Sequence, residues 1–181
     1  NADAYVQILK SYETEIKYRN DLIAATKKGS ALEKVAAFDA LYESLPESNR
    51  IGETQIHKAI LSLDKKNESG LVEKYLAESI NAEAYSCIMK LDIDGAVSVY
   101  EKRVEDERLS AETKQELLCY AATIAMHSNT VQFDKVIGLY QKAFDVAPES
   151  SLAPKIQETI AAINKAKEEY TAQLSSSAEG K

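Results

Sequence analysis

His57, His127, Cys87 and Cys119 carry the side chains of this chain that enter chemistry most readily, and their spacing decides what is open to them. Nucleophilic catalysis needs a Ser or Cys beside a His that a carboxylate orients, and no Ser here sits among nucleophile-elbow glycines. His127 follows Cys119 by eight residues, which on a helix is ~12 Å. A metal site wants paired ligands such as His at i and i+4, and the sequence has no such pair. The six glycines are isolated, so no loop is built to cradle phosphate. Asp92 and Asp94, and the run Glu105, Asp106, Glu107, fall at helix ends or in a linker, where carboxylates cap or stay solvated. The cysteines form no CxxC pair and lie among helical apolar residues, which reads as buried free thiols, with a disulfide open to an exported chain. Asn67-Glu68-Ser69 fits a glycosylation sequon, a pattern that arises readily by chance. The expectation is a protein that is not an enzyme and that uses no metal and no cofactor.

The elements that would hold these residues are helices. The 181 residues suit about one domain, able to bury roughly 70% of the surface its unfolded form exposes. Only six Gly and three Pro punctuate the chain, too few for the turns a sheet requires. Apolar/polar alternation is nearly absent. Net charge is −7 and the pI is near 5.0, without a basic cluster to displace counterions, which argues against nucleic acid as a partner. No stretch approaches the ~20 apolar residues of a membrane span.

Eight helices follow from periodicity and punctuation. The first runs from about Asp3 to Lys28 on a stripe of Tyr5, Ile8, Leu9, Tyr12, Ile16 and Ile23. Gly29 stops it, and Ser30-Ala31-Leu32-Glu33 is a capping box that opens the second, which reads to Pro46. The third surrounds Ile56 to Leu63, and "DKKNESG" breaks the chain after it. The fourth spans about Leu71 to Lys90; the fifth opens at Asp92 or Asp94 and ends near Arg108. Ser110 caps a sixth over about Ala111 to Met126, Pro148 closes a seventh, and the eighth runs from near Ser151 to Leu174. "SSSAEGK", residues 175–181, reads as a disordered tail or linker.

The chain also repeats itself. "IDGAVSVYEKRVE" and "FDKVIGLYQKAFD" align at a shift of 40 residues, pairing Asp94 with Asp134, Tyr100 with Tyr140 and Lys102 with Lys142. The preceding helices align at a shift of 38, with Ile80, Ala84, Cys87 and Ile88 opposite Leu118, Ala122, Ala125 and Met126. Two helical hairpins in series, 71–108 and 110–147, would bury their apolar faces by stacking. "FDKVIGLYQKAFDVAP" resembles the second helix of a tetratricopeptide repeat, with its aromatic-Asp start, central Tyr140, small Ala143 and terminal Pro148. "DIDGAVSVYEKRV" is similar but carries Arg103 where the family has a small residue. The family period is about 34 residues, so the Glu105–Ser110 connection is longer here. The resemblance covers Leu71 to Pro148 and implies an all-α, right-handed TPR-like superhelix of antiparallel helix pairs: one domain over 1–174, closed by a capping helix at 151–174.

The resemblance further implies that the first helix of each pair lines a concave, peptide-binding groove. By position that stripe is Glu78, Asn81, Tyr85 and Met89 on helix four, and Glu116, Cys119, Thr123 and His127 on helix six. No Lys or Arg falls in either stripe, which disfavours the carboxylate grip of the family's chaperone-binding members. The expected partner is a protein or peptide, with a second copy of the chain as candidate on the Tyr5, Tyr12, Ile16 stripe of the first helix. A different reading is a structural or accessory helical domain of a larger exported bacterial protein, for example one preceding a thioredoxin-type module. The chain begins at Asn1 rather than Met, which tilts the compartment toward periplasmic or exported.

Overall fold

The computed structural model describes residues 2–44, 50–128 and 132–179. Among them the chain is all-α, with eight helices: α1 (Ala2–Thr26), α2 (Ala31–Glu43), α3 (Arg50–Leu63), α4 (Val72–Ile88), α5 (Ile93–Arg103), α6 (Ala111–Met126), α7 (Phe133–Val146) and α8 (Ala153–Glu179). The expected stop of the second helix at Pro46 lies outside the described residues, as do positions 180 and 181 of the expected tail. The rest of that tail through Glu179 continues α8 rather than ending near Leu174.

The caps fall where side-chain oxygens can reach orphan amides. Ser30 Oγ accepts from the Glu33 amide while the Glu33 carboxylate accepts from the Ser30 amide at 2.7 Å, completing the capping box. Asp92, not Asp94, caps α5 and takes the Gly95 amide at 2.8 Å. Ser110 takes the Thr113 amide at the start of α6. Ser150 takes the Ala153 amide at the start of α8. The fifth helix ends at Arg103 and not near Arg108 because Asp106 gathers the chain into a turn, accepting from the Arg108 amide and, at 2.9 and 2.7 Å, from its guanidinium.

The packing forms two compact units, residues 1–79 and 80–181, with the division inside α4. In the first unit α2 packs on α1 and on α3. Its core gathers Tyr18, Val35, Phe38, Leu41, Ile56, Ile60 and Tyr75. Each such fully buried apolar side chain stabilises the fold by about 1.5–3 kcal/mol relative to exposure. The loop after α3 is organised by Asp64, whose buried carboxylate accepts from the Glu68 and Ser69 amides, both at 2.8 Å. Burial raises the pKa of Asp64, but these bonds from Ser69 and the backbone outweigh it and hold the carboxyl below its usual range. Within the sequon, the Asn67 side-chain oxygen accepts from the Val72 amide at 3.0 Å and helps close this turn.

The second unit is built by sequential packing: α5 on α6, α6 on α7, α7 on α8. Ile80, Ala84, Ala96, Leu117, Ala121, Ala122, Val136 and Ala143 are all buried there. Lys135 pairs with Asp94 and Lys142 with Glu101, both at 2.7 Å. The two lysines are seven residues apart, and so are the two acids, which means α5 and α7 run side by side in the same direction. These pairs are largely exposed and contribute little stability; their value here is the register they report. Cys87 and Cys119 are free, half-buried thiols, and burial pushes that of Cys119 up.

Candidate functional site

The residues expected to line a groove separate into outward-facing ones and ones that tie helices together. Tyr85, Met89, Glu116 and His127 are exposed, Met89 at 66%. Asn81, half-buried, and Thr123, itself exposed, engage the two repeated tyrosines. Tyr100 donates its hydroxyl hydrogen to Asn81 Oδ1 at 2.9 Å, and the Tyr140 hydroxyl lies 3.3 Å from Thr123 Oγ1. Thr123 also donates to the Cys119 carbonyl, so its hydroxyl is held along its own helix as well. Tyr100 and Tyr140 are both buried, and each reaches from the later helix of its pair back to the earlier one. That shared geometry is the structural counterpart of the sequence repeat. On the same helices Tyr120 and Met126 are exposed too, so α6 presents more apolar surface than the stripe alone.

Glu78 belongs to the first unit and turns its carboxylate toward α3. Its Oε2 lies 3.2 Å from His57 Nε2, an ion pair whenever the imidazole is protonated. His57 is only 6% exposed and is wedged between aromatic rings, with centroids 5.3 Å from Tyr42 and 5.4 Å from Tyr75. Tyr42 and Tyr75 meet edge to face at 5.2 Å, and Lys74 lies over both rings. Tyr75 donates to Asp39 Oδ1 at 2.5 Å, and Lys74 pairs with Glu43 at 2.8 Å. Burial pushes the His57 imidazole below its usual range despite the opposing pull of Glu78 and Glu53. Burial likewise raises both phenols, helped at Tyr42 by the Glu78 carboxylate and at Tyr75 by Asp39.

Comparison with known proteins adds a family. Residues 71–169 match the model of TP_0391_C, described as an uncharacterised protein C-terminal domain. The chain belongs to this family. Neither the curated proteins nor the solved structures give a match. The matched span begins with the last residue before α4 and ends within α8, so the family's unit contains both repeated hairpins and most of the helix that follows them.

Within that C-terminal domain, the buried polar centre is one that periodicity does not reveal. Gln115 is 1% exposed on α6 and donates through Nε2 to the Ala143 and Ala147 carbonyls, both at 2.9 Å. Its Oε1 accepts from Ser150 at the entry to α8. One amide thereby satisfies the end of α7 and the start of the next helix. The one sequence signal for it is a polar residue in the register of Leu118 and Ala122, which a stripe analysis passes over. Among the described residues no group of three or more His, Cys, Asp and Glu could hold a metal ion, and no helix is long and apolar enough to cross a membrane.

Proposed function

We propose that this chain is a non-catalytic scaffold that binds a protein or peptide on the outward faces of α4 and α6. The observation that carries the reading is the contrast between the two sides of these helices. Ile80, Ala84, Leu117, Leu118 and Ala121 are buried, while Tyr85, Met89, Tyr120 and Met126 present large apolar side chains to solvent. In this reading the α4–α5 and α6–α7 pairs stack as a TPR-like superhelix, a likeness supported by the repeated tyrosine ties and the parallel course of α5 and α7. Tyr85 and Met89 supply apolar contact; Glu116 and His127 supply polar contact to an extended backbone. Asn81 and Thr123 set the spacing of the helices behind them. Glu78 is left out of the binding set because its carboxylate is turned to His57.

The test is capture of partners by the intact protein and by a Tyr85→Ala/Met89→Ala variant of equal melting temperature. The variant should lose the specific partners; recovery of the same partners at the same yield sinks the assignment. The accessory-domain reading draws support from the family's description as a C-terminal domain, and it gains if no partner depends on these side chains.

A further inference from the structure

A cavity of about 640 Å³ opens on another face of α6, where the end of α5, the first turns of α6 and the end of α7 converge. That volume lies within the usual range of small-ligand sites, about 300–1,000 Å³. Its floor is apolar: Val104 and Leu118 are almost wholly buried, and the exposed Val146 edges it. Its rim is charged. Lys142 and Glu101 neutralise each other at 2.7 Å. This leaves the Lys114 ammonium on the α6 wall and the carboxylates of Glu105 and Asp145 on the other two. Among the described residues Asp145 receives only a neutral amide, that of Gln141.

The backbone reinforces this division. The start of a helix carries partial positive charge and its end partial negative charge. Lys114 stands in the first turns of α6, whereas Glu105 lies just beyond α5 and Asp145 in the last turn of α7. A simple anion would meet two uncompensated carboxylates, and a simple cation would meet Lys114. A molecule carrying both charges on an oily body satisfies every wall. The connection beside the cavity is also pre-formed, because Asp106 and Arg108 lock it in a bidentate pair, so little ordering is left for a ligand to drive.

We infer that this cavity binds a zwitterion with an aliphatic body, an α-amino acid or short peptide, with its carboxylate at Lys114 and its ammonium at Glu105 and Asp145. The site is separate from the exposed face of Tyr85 and Met89, so either assignment can fail alone. The isotope-labelled intact chain is titrated with leucine and with alanyl-leucine while backbone amide resonances are followed. Saturable shifts at Val104, Leu118 and Val146 are expected from at least one of the two. N-acetyl-leucinamide, which lacks both charges, should produce none. Lys114→Met and Lys114→Gln should each weaken binding by about tenfold or more with unchanged melting temperatures. Absence of saturable shifts with both zwitterions up to about 10 mM, equal affinity for the neutral analogue, or unaltered affinity in a folded Lys114 variant overturns the inference.

Discussion

Gln115 does at one point what a cap does at each end of a helix: its amide holds two carbonyls of the α7 terminus while its oxygen receives the Ser150 hydroxyl. Replacing it with Leu conserves bulk but removes its bonds to the Ala143 and Ala147 carbonyls and to Ser150, leaving Ala147 the Ser150 amide at 3.2 Å; a partner lost in a dry interior costs about 1–3 kcal/mol. Gln115→Leu should therefore destabilise by about 2 kcal/mol in urea denaturation; a loss below about 0.5 kcal/mol would show that the carbonyls find other partners. His57 makes a prediction of a different kind. Its folded pKa lies below the ordinary 6.5 because burial opposes the charge, so between those two values the unfolded chain binds more protons than the folded one. Stability is then full above pH 6.5 and declines as the pH falls toward the depressed value. The charged groups that act on the imidazole are Glu53 on α3 and Lys74 and Glu78 on α4, while Asp39 and Glu43 on α2 engage Tyr75 and Lys74 beside it. Comparing urea midpoints at neutral and mildly acidic pH should show a smaller decline in His57→Phe than in the parent. Equal declines would move the acid sensitivity to those carboxylates.

At the scale of elements, the sequence reveals where helices start better than what fills their insides. The Ser30 box, the Ser110 cap and the repeat of Tyr100 and Tyr140 are legible because they depend on local bonds or on spacing, and the structure has each of them. The end of α5 is not legible, since the Asp106–Arg108 turn that stops it looks like more polar helix surface. Nor is the role of Asn81 and Thr123, because a stripe gives the face of a helix and not whether a neighbour takes its polar groups. The terminus of α4 offers the sharpest test. Leu91 and Asp92 donate their amides to the Ile88 and Cys87 carbonyls at 2.8 and 3.0 Å, the pairing of a Schellman cap. The residue at its left-handed position is Leu91, with φ 61° and 89% exposed. A side chain there costs about 1–2 kcal/mol, and glycine returns about 0.5–1 kcal/mol of that as unfolded-state entropy. Leu91→Gly should raise stability by about 0.5–1 kcal/mol, and a lower melting temperature would mean that Leu91 makes contacts worth more than its strain.

At the scale of the whole molecule, each unit thins toward a chain end, and the two overhangs differ from the helices that close the cores. In the first unit α1 buries Tyr18 and Ala25, whereas Tyr5, Leu9, Tyr12 and Ile16 before them are exposed. In the second, α8 covers the stack with Ala153, Ile156 and Ile163, while Tyr170 and Leu174 are exposed. Lys167 marks the changeover, half-buried and paired with Asp134 at 2.6 Å. A series of helices, each covered by the next, needs its last cover but not the part that extends past it. Two truncations separate these roles. A chain of residues 15–170 removes, among residues 2–14 and 171–175, only exposed helix, and it should melt cooperatively within about 4 °C of the full chain, the shift that about 1 kcal/mol produces at this size. A chain ending at Ser150 uncovers the α7 face against which α8 packs, and it should unfold non-cooperatively or aggregate. If the first truncation abolishes the transition, the overhangs are part of the folded core; if the second melts like the parent, α8 does not close the stack.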